Sequence, residues 1–289
     1  MGDPSVAFVQ QYKNTITMLV QQMTSRFRDC VMIDTDFQGN KKFYDQYSTD
    51  SMVEIMTRYA DTPVQTPNHQ RRMITPRYFV SSTLEDPADA LQMVVDPKSA
   101  YMQAKQAAAA RQFDDLIISA HGGTAYSGQG GGTSETFDSA NTIAVDFGGS
   151  TVGMTKAKLL KSSRLFNAAE VEKEDRYLAQ SARQLEDLLN TTEVASGDYN
   201  VVKALVEGTL DRWIGFKFVH SERLSTSSGD RICLAWQKKG LQAAMMKDND
   251  SRISERPDKN YAMQVYLRLV MGATRLEEER CVQILCDET

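Results

Sequence analysis

Apolar side chains return at helical spacing between Asp96 and His121, where Met102, Ala109, Phe113, Leu116, Ile117 and Ala120 fall on one side. Both ends of this helix are marked. Asp96 can cap the first free amides, Pro97 suits the first helical position, and Gly122 can supply a left-handed residue that stops the chain. At a rise of about 1.5 Å per residue the helix spans roughly 37 Å, enough to lie along a sheet for the width of a small domain. The tract Ala107 to Ala110 lets another backbone approach it closely. A second stripe, Val9, Tyr12, Ile16, Leu19, Met23 and Phe27, predicts an amphipathic N-terminal helix with no domain of its own to pack against.

Between Cys30 and about Val80 short apolar pairs alternate with polar residues, and Pro63, Pro67 and Pro76 mark edges and bends. The pattern predicts a long two-stranded excursion carrying Phe43, Tyr47, Met52 and Ile55. An isolated ribbon is marginal in water, so a neighbouring molecule is expected to cover it. After the long helix, HGGTAYSGQGGGTSE reads as a flexible loop, and the short strand TIAVDF follows. Thr155 opens a helix carrying Leu159, Leu160, Leu165 and Phe166, RYLAQ is a strand, and Ser181 caps a helix holding Leu185, Leu188 and Leu189. Beyond it TTEVASGDYN turns into a short helix with Val201, Val202, Leu205 and Val206. FKFVHS and RICLAWQ read as paired strands joined by LSTSSGDR, closing a compact α+β unit over about 151–250. The alternation in KNYAMQVYLRLVM and ERCVQILC predicts two more strands, joined near Gly272 as a hairpin that supports the long helix.

The composition narrows the class. With 289 residues, 41% hydrophobic and 25% charged, the chain is long enough for one large or two modest cores. Its net charge of −5 argues against a non-specific nucleic-acid binder, which needs a basic surface, but suits a protein that encloses DNA without gripping it. No run of about 18–20 apolar residues is long enough for a membrane span, and MGDPSVAFVQQYKN lacks the blocks of a secretory signal, so a cytoplasmic chain is expected. Cys30, Cys233, Cys281 and Cys286 have no close CxxC spacing and read as small core residues.

Candidate chemistry is thin. His69, His121 and His220 lie in separate segments without a second ligand at metal spacing, so no metal is expected. The glycine loop follows a helix rather than a strand and lacks GxxxxGK[ST], which counts against a nucleotide-dependent enzyme, and no catalytic residue or cofactor is assigned. Lys41 and Lys42, with Arg71 and Arg72, put basic pairs on the ribbon. They either keep an exposed edge solvated or meet acidic surfaces of an adjacent subunit. With Val9, Tyr12, Ile16 and Leu19 of the arm they are the candidate assembly contacts.

Several strings together resemble a known family: SARQLEDLL, SGDYNVVKALVEG, GFKFVHSERL, RICLAWQKKG and above all RISERPDKNYAMQVYLRLVMGATRLEEERCVQI. They look like the major capsid proteins of tailed bacteriophages built on the fold named after bacteriophage Hong Kong 97, in order from VAFVQQYK to the end. The resemblance implies an α+β capsid fold with an N-terminal arm (1–32), an extended loop (33–80) and a peripheral domain with its spine helix (81–150, the helix at 96–121). An axial domain (151–250) and peripheral return strands (251–289) complete it. It further implies an icosahedral virion shell around double-stranded DNA, assembled in the bacterial host cytoplasm from hexamers and pentamers of the same chain, with no membrane. Because Met1 leads directly into the arm, a separate scaffolding protein is implied, with a portal and, as an option, a decoration protein. The alternative within the same fold is an encapsulin-like compartment that holds protein cargo.

Overall fold

The computed structural model describes residues 21–59, 61–62, 64–66, 68–85, 98–149, 152–190, 212–227 and 229–288. The first strands are β1 (Met32–Asp34), β2 (Lys42–Tyr47), β3 (His69–Ile74) and β4 (Arg77–Glu85), followed by the long helix α1 (Lys98–Gly122). Next come β5 (Ala125–Ser127), β6 (Thr133–Glu135), β7 (Thr142–Ile143), α2 (Lys156–Ala168), β8 (Arg176–Gln180) and α3 (Ala182–Leu189). The chain ends with β9 (Arg212–Trp213), β10 (Phe216–His220), β11 (Thr226–Ser227), β12 (Asp230–Gln237), β13 (Leu241–Arg256), β14 (Ala262–Arg275) and β15 (Cys281–Asp287). Two caps work as their sequences predict. The Thr155 hydroxyl accepts from Lys158 N at the start of α2, and Ser181 does the same for Gln184 N at α3.

Strand partners differ from the sequence expectation in two places. The seven-stranded sheet has the order β7-β15-β12-β8-β10-β9, with β11 on β12. Thus FKFVHS and RICLAWQ are not paired with each other: β8 lies between them, parallel to β10 and antiparallel to β12. Nor do β14 and β15 form a hairpin. β14 belongs to a sheet of order β1-β13-β14-β4, whereas β15 pairs with β12 from Asp230↔Asp287 to Trp236↔Cys281. Gly272 is no turn but lies within β14, where an added Cβ would fall 2.6 Å from Ile74 Cγ2 and 2.7 Å from Thr75 O. The glycine is there because another backbone crosses the strand.

The described parts divide into two compact units, one drawn from Met1–Ser25, Tyr78–Gln112 and Lys247–Val270, the other from Arg26–Arg77, Phe113–Met246 and Met271–Thr289. In the second unit Phe113, Leu116, Ile117 and Ile118 of α1 are buried, so its apolar side is wider than the predicted stripe. The predicted start of α1 at Asp96 and Pro97 lies outside the described residues. Its end is not a left-handed glycine: Gly122 is still helical, and a Cβ there would meet Gln283 Nε2 of β15 at 2.3 Å.

The N-terminal stripe also ends differently. Val9, Tyr12, Ile16 and Leu19 lie outside the described residues, and residues 21–27 are not helical. Phe27 is fully buried against Trp236, ring centroids 5.6 Å apart, while Trp236 Nε1 donates to Cys30 O at 2.9 Å. The backbone N–H of Arg26 donates to buried Asp114 on α1 at 3.1 Å. This end of the segment is therefore part of the core rather than a free arm. All four cysteines are buried and free, as small core residues should be. Lys158, also buried, donates to Val152 O, Gly153 O and Leu285 O, so three carbonyls stand in for water around its ammonium.

The last turn of α1 is closed by Arg275, which has no exposed surface. Its guanidinium donates to His121 O at 2.6 Å and Gly123 O at 2.9 Å, satisfying carbonyls that a helix end leaves free, and lies 4.9 Å from the centroid of the Phe137 ring. His121 is itself buried, stacked on Phe137 at 5.8 Å, with Nε2 at 3.1 Å from Ala235 O and Nδ1 unpartnered. Burial pushes its pKa down to about 4; the Ala235 carbonyl opposes the shift and the Arg275 charge adds to it.

Three outcomes follow from this packing. Phe113→Asp, which buries an unpaired carboxylate at the middle of α1, should yield insoluble or unfolded protein; soluble protein with a cooperative melt would show that the buried side is misassigned. Phe27→Ala should destabilise the free subunit by about 3–5 kcal/mol in urea unfolding. Because His121 is held neutral, its contribution is complete above its ordinary pKa of 6.5 and is lost as pH falls toward about 4. Over that window the loss is on the order of 3 kcal/mol. The part between pH 6.5 and about 5 precedes most carboxylate titration, and His121→Gln should abolish that slope. An unchanged slope in the variant would assign it to other groups.

Candidate assembly surface

The ribbon expected from sequence is built by β2 and β3, antiparallel from Lys42↔Ile74 to Tyr47↔His69. It is not isolated. The glycine-rich segment, expected to be a flexible loop, forms the hairpin β5–β6, and β5 pairs with β3, giving a four-stranded sheet in the order β2-β3-β5-β6. The hairpin needs its glycines: Gly131 has φ +71°, and a Cβ there would sit 2.2 Å from Met73 Sδ. The glycine loop is thus a turn between two strands and does not run into a helix as a P-loop does.

The basic pairs find partners within the chain. Arg72 is only 5% exposed, pairs with Glu135 and Glu278, and donates through Nε to Leu276 O at 2.9 Å. It braces the ribbon within its own chain. Lys42 pairs with Asp34, which also accepts from the Tyr44 hydroxyl at 2.9 Å and from the Asp36 backbone N–H at 3.0 Å. The Lys42 hydrogen bond holds the Asp34 carboxyl below its usual range, while burial, reinforced by Asp34, pushes the Tyr44 phenol up. Arg71 pairs with Asp45 at 2.5 Å, both about half exposed. Lys41 is exposed, with its Nζ 3.5 Å from Gly130 O.

Between the ribbon strands the chain exposes what a soluble monomer would hide. Met52, Val53, Ile55, Met56, Tyr59 and Val64 are all exposed, Met52 and Tyr59 completely. Met52 and Ile55 are thus not on the predicted strands, because β2 ends at Tyr47. The first unit holds a second feature that periodicity does not reveal. Lys105 of α1, 5% exposed, donates to Ser81 Oγ at 3.0 Å and Thr83 Oγ1 at 2.8 Å on β4. A lone lysine inside a helical pattern reads from sequence as a solvated face; only the strand opposite makes it buried. Among the described residues no cluster of His, Cys, Asp and Glu could hold a metal ion, and no helix is long and apolar enough to cross a membrane. His69 lies on the ribbon with its ring 4.6 Å from that of Tyr47, and His220 lies 3.5 Å from Glu222.

The sequence matches the phage capsid protein family over residues 5–288. No curated protein matches it. Among solved structures, the capsid of cyanophage P-SCSP1u is similar at a TM-score of 0.77 and 16% identity, covering 99% of this chain and 94% of that one. The head of Helicobacter pylori bacteriophage KHP40 gives 0.74 at 10% identity, covering 97% and 96%. The capsid of Ralstonia phage GP4 gives 0.73 at 11%, covering 97% and 95%. At such identities these likenesses establish the fold, and the family match spans nearly the whole sequence. With three sheets, one long helix and an apolar loop left uncovered, the chain belongs to the phage capsid protein family and is a major capsid protein of the Hong Kong 97-type fold, a subunit of a virion shell.

Proposed function

We propose that many copies close into an icosahedral shell of hexamers and pentamers around the double-stranded DNA of a tailed bacteriophage, assembled in the bacterial cytoplasm with a separate scaffolding protein and a portal, and open to a decoration protein. The observation that carries this reading is the exposed apolar run between β2 and β3, which gains free energy only when another surface covers it. In this anatomy 1–32 is the arm, 33–80 the extended loop, 81–150 with most of 251–289 the peripheral domain, and 151–250 the axial domain. We assign β15 to the axial domain, since it pairs with β12 and not with β14. The net charge of −5 fits a container that lets DNA slide and leave rather than one that grips bases.

Electron microscopy of the expressed chain, alone and with its scaffolding protein, should show closed particles of uniform size when the scaffold is present. Only open sheets or soluble subunits in both samples would contradict the reading. Among the basic residues, Lys41 remains the best assembly contact, because Lys42, Arg71 and Arg72 are paired within the chain. Lys41→Glu should impair assembly most at low salt and recover partly at high salt: each exposed contact is worth at most about 1 kcal/mol, but copies sum over a shell. Assembly equal to the parent at every ionic strength would leave Lys41 as a solvating charge.

A further inference from the structure

Opposite the alanine tract of α1 lies a slot of about 300 Å³, walled by Phe79, Val80, Ala108, Ala109, Leu267 and Leu269. It exists because Ala107 to Ala110 stand where larger side chains would fill the space between helix and strands. Lys105 and Ser81 line the same slot. The Lys105 ammonium has three donors and two protein acceptors, the hydroxyls of Ser81 and Thr83, and among the described residues no carboxylate lies within ion-pair distance. Burial lowers its pKa. Among the described residues the slot therefore offers apolar walls and one positive charge without a carboxylate partner. It opens beside β4, which is the end strand of its sheet among the described residues.

The chain carries a segment of complementary chemistry. Residues Asp50 to Tyr59 are exposed, and Glu54 stands between Val53 and Ile55. In an extended chain alternate side chains share a face, so Met52, Glu54 and Met56 point to one side. Two methionines flanking a carboxylate match an apolar slot with an ammonium in it, since unbranched thioether side chains adapt to irregular gaps. We infer that residues 50–59 of a second copy lie along β4, with Met52 and Met56 in the slot and the Glu54 carboxylate on Lys105. This rests on the shell reading and names the receptor for the uncovered loop. It also accounts for a buried lysine that has hydroxyl partners and no carboxylate among the described residues.

A double-mutant cycle tests the contact in the full-length chain. Glu54→Gln changes an exposed loop, and Lys105→Met replaces a buried charge by an apolar side chain of similar length, so both subunits should remain folded. Each single variant should raise the protein concentration needed for shell formation at least about tenfold, and the double variant should be no worse than the poorer single. The melting temperature of the unassembled subunit should not change with Glu54→Gln. Either single variant assembling like the parent, or effects that multiply in the double, would overturn the contact. A lower melting temperature for unassembled Glu54→Gln would put the loop on its own copy and overturn the second-copy assignment. Failure of the parent chain to form shells would instead count against the shell reading itself.

Discussion

A guanidinium with no exposed surface, that of Arg275, carries the arrangement of the ribbon. It closes the end of α1 through His121 O and Gly123 O and pairs with Glu278 at 2.7 Å. Glu278 in turn lies 3.7 Å from Arg72, which also binds Glu135 at the end of β6. One chain of charges thus runs from the helix end to the ribbon sheet through the turn between β14 and β15. Buried ions cost several kcal/mol each to desolvate, and here ion pairs and backbone carbonyls offset part of that cost. Leu276 O, which accepts from both Arg72 Nε and Gln46 Nε2, is one of those carbonyls. Removing Glu278 would take from Arg275 its carboxylate partner and leave Arg72 with Glu135 alone.

The sequence made the local elements legible and hid most of the non-local ones. Periodicity located α1, Thr155 and Ser181 marked the starts of α2 and α3, and alternation found β12, β14 and β15. These signals are local: capping needs three residues and amphipathicity needs a few turns. Sheet order is not local, and β15 joining β12 instead of β14 depends on cores far apart in the chain. Phe27 departs from its pattern for the same reason, because its helical spacing from Leu19 and Met23 says nothing about Trp236 more than two hundred residues later. Four glycines that suggested a loop, a stop and a turn, Gly131, Gly122, Gly123 and Gly272, instead admit Met73, Gln283, Ser119 O and Thr75 O at distances no Cβ tolerates.

The candidate surface was legible in outline only. The ribbon's composition announced that it needed cover, but not which charges were already paired within the chain. Arg72 and Lys105 look alike in sequence as exposed basic residues, yet both are buried, one with carboxylates and one with hydroxyls. Ala107 to Ala110 were legible as a place of close approach, and the slot they leave is the form that approach takes. At Gly122, Gly131 and Gly272 a small residue marks where another chain segment passes, and the exposed apolar side chains of residues 52–59 mark where none yet does.

The central claim is that the ribbon strands are ordered by the subunit itself while the loop between them is ordered only by neighbours. Hydrogen exchange on the unassembled subunit and on the closed shell tests it directly. Peptides from β2, β3 and residues 113–121 of α1 should be protected in both states, and amides of residues 50–59 should gain protection only in the shell. Equal protection of residues 50–59 in both states, or loss of β2 and β3 protection in the free subunit, would contradict the account.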